Sequence, residues 1–172
     1  PRLPVLAILL ALATAPPLSA QQTPARPPLD RSQKLAFDPL VTVGTLDNGL
    51  RYYIMANRLP EKRAELRLAV NVGSVFEDDD QRGLAHFVEH MAFNGTKHFP
   101  KNDLVKYLQS IGMRFGADLN AYTSFDETVY MLQVPTDSGK FLATGIEILG
   151  DWAGGVTFDS AEVEAERGVV GE

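Results

Sequence analysis

Residues 40–55 read LVTVGTLDNGLRYYIM, two apolar-rich stretches on either side of Asp47, Asn48 and Gly49. Asn-Gly is the strongest short hairpin signal, because a tight turn between twisted strands needs residues that tolerate positive φ. Residues 40–46 and 50–55 are therefore predicted as antiparallel partners. Residues 64–72, AELRLAVNV, alternate apolar with polar and predict a third strand. Two more are expected over residues 119–124 and 128–134, around a corner at Phe125 and Asp126. Helical spacing occupies the intervals. One helix is expected over residues 83–93, and a short one from Asn102 or Asp103 to about Ser110 that Gly112 and Gly116 break. An amphipathic helix covers 141–152, and a last one, AEVEAERGVVGE, follows Asp159 or Ser160. Strands gathered into hairpins with helices between them predict an α+β fold, a mainly antiparallel sheet packed with helices, rather than a doubly wound one.

The chain has 172 residues, 45% apolar and 22% charged, enough for one globular domain with a packed core. Sixteen basic against 22 acidic residues give a net charge of -6. With no basic stripe to track a phosphate backbone, nucleic acid is not an expected partner. There is no cysteine, so stability rests on packing rather than on disulfides. Arg2, the apolar run over residues 3–13, Pro16 and Pro17, and Leu18-Ser19-Ala20 follow the order of a secretory signal peptide cut after Ala20. The run is too short for an ordinary transmembrane helix, so no membrane anchor is expected and the protein is expected to be periplasmic or secreted. The alternative, a buried first helix, conflicts with the two prolines that would end it. Residues 21–38 are rich in Pro and polar side chains and read as a linker.

Within residues 83–93, GLAHFVEHMAF, two of the chain's three histidines fall in one five-residue window. His86, Glu89 and His90 are three and four residues apart, which puts them on one side of a helix whose other faces are apolar. A carboxylate and two imidazoles on such a helix cost several kcal/mol to bury unless something pairs with them. Zinc takes imidazole ligands, and a catalytic zinc site keeps one position open for water. His86 and His90 can supply two ligands, while Glu89 lies where a general base toward that water is needed. The competing interpretation is two core histidines and a salt-bridged glutamate without metal. His98, after a Gly-Thr-Lys turn, reads as a surface residue.

His-x-x-Glu-His within GLAHFVEHMAFNGTKHFP resembles the inverted zinc motif of the pitrilysin and insulinase peptidases. The segments NGLRYYI, VGSVFED, DLNAYTSFDETVY and EAERGVV follow in that family's order, so the likeness covers about residues 40–172. It implies a zinc-dependent endopeptidase for extended or unstructured peptides, with His86 and His90 as zinc ligands and Glu89 as catalytic base. It also implies that residues 39–172 are the N-terminal part of a peptidase domain cut short at its C-terminal end. Asn120, Ala121 and Thr123 match the family's edge strand, whose backbone pairs with the substrate; an ordinary interior strand is the alternative for that segment.

Family members carry a Glu-Arg pair on a later helix, and a second Glu seven residues after the first binds the metal. Glu166-Arg167 matches the pair, and the seventh position beyond Glu166 falls just after Glu172. Glu172 itself is about 100° out of register on a helix. The third ligand is therefore expected just beyond Glu172, with Glu166 orienting the site from behind; Glu166 as the ligand itself is the alternative. Further homologous domains or a partner subunit are expected to enclose the peptide. The rival function is a non-catalytic binding or assembly subunit of the same fold, and an inactive truncated fragment is a third possibility.

Overall fold

The computed structural model describes residues 32, 34 and 36–170. The leader expected over residues 1–20, most of the linker, and Glu172 lie outside them. The chain divides into two compact units, one ending at Ile54 and one beginning at Met55.

The first unit holds the predicted hairpin, β1 (Val41–Thr45) and β2 (Arg51–Met55), all but the last residue of β2. Its turn is closed by the Gly49 N–H donating to the Leu46 carbonyl at 2.8 Å and the Leu46 N–H donating to that of Leu50 at 2.9 Å. Gly49 takes φ 87, the left-handed conformation that the Asn-Gly signal anticipates.

The second unit contains β3 (Arg63–Val70), α1 (Leu84–Asn94), α2 (Asp103–Ser110), β4 (Leu119–Thr123), β5 (Thr128–Pro135), α3 (Gly139–Gly154) and α4 (Ser160–Val170). Its sheet runs in the order β3-β5-β4, antiparallel throughout. Residues directly opposite one another share a face, so register converts sequence alternation into rows of side chains. One row is Leu66, Leu132, Leu119; the next is Leu68, Tyr130, Ala121; the third is Val70, Thr128, Thr123. The first two rows are apolar apart from one phenol, and the third turns polar at Thr128 and Thr123.

Helices α1 and α3 pack on this sheet. Phe93 of α1 and Trp152 of α3 both lie against Tyr130, with the indole stacked on the phenol at 5.3 Å between ring centres. The Trp152 N–H donates to the Ala92 carbonyl at 3.1 Å, which ties the two helices together. Leu132 and Ile148 are fully buried at the centre, each contributing roughly 1.5–3 kcal/mol by leaving water.

The strand expected over residues 64–72 stops at Val70, because the Val72 N–H turns back to the Val70 carbonyl at 2.8 Å. The chain then makes a short 3-10 turn at Ser74–Phe76, unforeseen in the sequence, and rests on the β4–β5 corner. Ser74 N–H donates to the Ser124 carbonyl and Val75 N–H to that of Phe125. Gly73 allows the approach, since a Cβ there would lie 2.4 Å from the Ser124 carbonyl oxygen. Among the described residues, no helix is long and apolar enough to cross a membrane.

Candidate metal centre

Helix α1, which carries the candidate residues, follows Gly83, which takes φ 87 and offers no side chain to cap it. Glu77, upstream in the acidic loop, does so instead. Its carboxylate accepts from the Ala85 N–H at 2.7 Å and from the Gly83 N–H at 2.8 Å. Those two backbone donors, Ala85 first, hold the Glu77 carboxyl below the usual carboxylate range. First-turn N–H groups that have no partner inside the helix are thereby satisfied.

One turn further on, His86 and His90 come together as their spacing predicts. Their Nε2 atoms are 3.0 Å apart and the rings are close to perpendicular, at 84°. Behind His90, α4 packs along α1 and delivers Glu166. Glu166 Oε1 meets His90 Nδ1 at 2.6 Å, and Oε2 accepts from Asn94 Nδ2 at 2.7 Å. A carboxylate only accepts, so Nδ1 of His90 carries a hydrogen, and in the neutral imidazole Nε2 then keeps its lone pair on the side of His86. Both Glu166 oxygens are thus engaged on the face of His90 remote from the Nε2 pair.

The spacing of these two nitrogens suits a pair of zinc ligands. Two imidazole nitrogens 3.0 Å apart are close to the about 3.3 Å edge of a tetrahedron built on Zn–N bonds of about 2.0–2.1 Å. A carboxylate on the far nitrogen is the partner that commonly fixes a ligating histidine's tautomer. Among the described residues, no third His, Cys, Asp or Glu completes a metal-holding group.

Glu89 lies on the same helix and is buried, with 8% of its surface exposed. Thr123 Oγ1 donates to its Oε2 at 2.9 Å. Tyr130, in the neighbouring row, has its hydroxyl pushed up to about 12, first by burial and then by the charge of Glu89. It therefore stays a neutral phenol at ordinary pH.

Asn120 and Ala121 lie on β4, which has β5 on one side and, among the described residues, no strand of this sheet on the other. With Glu89, His90, Phe93 and Phe115 they line a cleft of about 340 Å³. The structure therefore brings His86, His90, Glu89, Glu166 and the three β4 residues to one region of the fold. A more open depression of about 650 Å³ lies at the N-terminal end of α1. Its two arginines, Arg82 and Arg167, are paired with Asp79 and Glu164.

His98 lies apart from the histidine pair. Its side chain is 44% exposed, yet Nδ1 is bonded to Asp151 Oδ1 at 2.8 Å. Asp151 is a buried carboxylate of α3 that also accepts from the Thr96 hydroxyl at 2.6 Å and the His98 N–H at 2.9 Å. These contacts staple the loop after α1 to α3.

Sequence reading missed Glu77, Asn94 and the Thr123 hydroxyl. Asn94 had a signal: His86, His90 and Asn94 are spaced four apart and form one polar stripe along an apolar helix.

Residues 52–172 match the family described as Insulinase (Peptidase family M16). The chain belongs to this family. It is 43% identical over 144 residues to the probable zinc protease PqqL of Haemophilus influenzae, covering 84% of this chain and 16% of that protein. The probable zinc protease PqqL of Escherichia coli is 46% identical over 138 residues, covering 80% of this chain and 15% of that protein. The crystal structure of the first half of the periplasmic protease PqqL from Escherichia coli superimposes with a TM-score of 0.74 at 47% identity, covering 77% of this chain and 28% of that one. The chain thus spans about a sixth of the length of the curated relatives it matches, and the α+β fold is that of the family.

Proposed function

We propose that this chain is the metal-bearing part of an exported zinc endopeptidase that hydrolyses extended peptides. The observation that carries the reading is the convergence of His86 Nε2 and His90 Nε2 at 3.0 Å beside the buried Glu89. Zinc held by the two imidazoles would polarise the scissile carbonyl and acidify a water molecule.

The chain's own residues do the rest. Glu89 takes the proton from the attacking water and returns it to the leaving amine. Glu166 keeps Nδ1 of His90 protonated, so that Nε2 is the ligating nitrogen. The free edge of β4, at Asn120 and Ala121, pairs with the backbone of an extended peptide, giving affinity with little demand on side chains. The third ligand is supplied just beyond Glu172, and further domains of similar fold close the groove. Two facts support that extension: the relatives are about five times as long as this chain, and two imidazoles alone leave a zinc site one protein ligand short. Residues 1–20 act as an export signal followed by a linker, in keeping with the location stated for the Escherichia coli relative.

Glu89→Gln in the full-length protein tests the reading. Zinc content should stay at the wild-type level, because both imidazoles remain, and hydrolysis of an unstructured peptide should fall to background. Undiminished hydrolysis by the variant would overturn the assignment of Glu89.

A further inference from the structure

The resemblance gives Thr123 a role through its backbone, as part of a strand that pairs with substrate. Its side chain points the other way in function. Thr123 closes the third row of the sheet, opposite Thr128, and its Oγ1 is 2.9 Å from Glu89 Oε2. We propose that Thr123 is a positioning residue for Glu89, holding the carboxylate of the base in the orientation that hydrolysis requires. This rests on the reading of Glu89 as general base.

The direction of each proton follows from the partners. Thr128 Oγ1 donates to the Val72 carbonyl at 2.9 Å, and a carbonyl can only accept. The Thr128 hydrogen is therefore committed away from Thr123, whose oxygen is 3.3 Å away. Thr123 has two acceptors within reach, the neutral Thr128 hydroxyl and the Glu89 carboxylate. The charged acceptor at the shorter distance takes the hydrogen. Thr123 is thus a fixed donor, braced by Thr128, which is in turn anchored to the chain that Gly73 lets settle on the β4–β5 corner.

The consequence for Glu89 is asymmetric. Oε2 is pinned by Thr123, while Oε1 has no donor among the described residues and belongs to a carboxylate that lines the cleft. One oxygen is restrained by the threonine and the other is left without a protein donor, available to water. A long carboxylate side chain without such a pin samples several rotamers, and misplacement by about 1 Å can cost a large share of the rate.

The experiment compares Thr123→Val, Thr123→Ala and Thr123→Ser in the full-length protein, with Glu89→Gln as reference. Zinc content is measured first and reports that the site is folded. Both variants without a hydroxyl should lose about tenfold in kcat, equivalent to about 1.4 kcal/mol, with KM within about twofold of wild type. Thr123→Ser restores the donor and should recover most of the rate. A backbone role alone predicts no change in kcat for any of the three. If the valine and alanine variants keep wild-type kcat while Glu89→Gln is inactive, the positioning role is wrong and the base assignment stands. If KM rises at constant kcat, Thr123 acts on substrate and the proposal also fails. Activity in Glu89→Gln would overturn the base assignment itself, and this inference with it.

Discussion

Replacing Glu166 should weaken zinc binding by an amount that depends on what takes its place. Its two oxygens serve two donors, His90 Nδ1 at 2.6 Å and Asn94 Nδ2 at 2.7 Å. Alanine removes both acceptors, leaving the His90 tautomer and ring orientation unsupported. Glutamine keeps one acceptor oxygen for His90, and Asn94 can turn its amide to accept from the new NH2 group, so what is lost is chiefly the negative charge that would make His90 a better ligand. Loss of such a supporting carboxylate costs about 10- to 100-fold in metal affinity. Glu166→Gln should lie near the lower end, about 1.4 kcal/mol, and Glu166→Ala near the upper, about 2.7 kcal/mol. Competition with a chromophoric chelator at pH 7, on the full-length protein, reads both. Wild-type affinity in both variants would refute the argument that Glu166 acts through His90. Complete loss of zinc from the glutamine variant would refute it in the other direction, by making Glu166 a ligand.

Two further outcomes concern what supports the site. Gly73→Ala brings a Cβ within 2.4 Å of the Ser124 carbonyl oxygen and should destabilise by about 1–3 kcal/mol, as overpacking does; faster amide hydrogen exchange at the β4–β5 corner would register it, and unchanged protection there would count against the packing described. Burial pushes the Asp151 carboxyl up, but the Thr96 hydroxyl and the His98 N–H and ring outweigh it and leave the group below its ordinary value. A lowered folded pKa contributes stability that is complete above the unfolded value of about 3.9 and is lost as pH falls through the folded one. Thermal unfolding of wild type and Asp151→Asn should therefore differ at pH 7, by about 1–3 kcal/mol, and converge toward pH 2; a difference independent of pH would contradict the role given to Asp151.

The elements that can be read from local chemistry are the ones the sequence shows. Asn48-Gly49 announces the β1–β2 turn, alternation marks β3, and the spacing of His86, Glu89 and His90 places them together on α1 before any partner is known. The groups that support them depend on residues distant in the chain. The Glu166-Arg167 pair points toward the site only through the family resemblance, and no local pattern says that Glu166 reaches His90, 76 positions earlier; nothing near Thr123 says that its hydroxyl meets a carboxylate 34 positions away. The first meeting follows from the packing of α4 on α1, and the second from register, which sets Thr123 opposite Thr128 and turns its hydroxyl toward Glu89 of α1. Asp151 and Glu77 were hidden for a related reason. A carboxylate on an amphipathic helix or in an acidic loop reads as solvated until the structure supplies its buried donors. β3 ends two residues before its alternation does, because the return of the Val72 N–H to Val70 leaves no trace in hydrophobic alternation.

The central claim is that His86 and His90 hold zinc through their facing nitrogens. Anomalous scattering at the zinc edge, from crystals of the full-length protein grown with zinc, locates the ion without reference to activity. The account predicts one strong peak about 2.0–2.1 Å from Nε2 of both histidines, with Glu166 on Nδ1 of His90. A zinc-loaded crystal with no peak between the two rings, or with the ion on other ligands while Nε2 of His86 and Nε2 of His90 remain unbound, would contradict it.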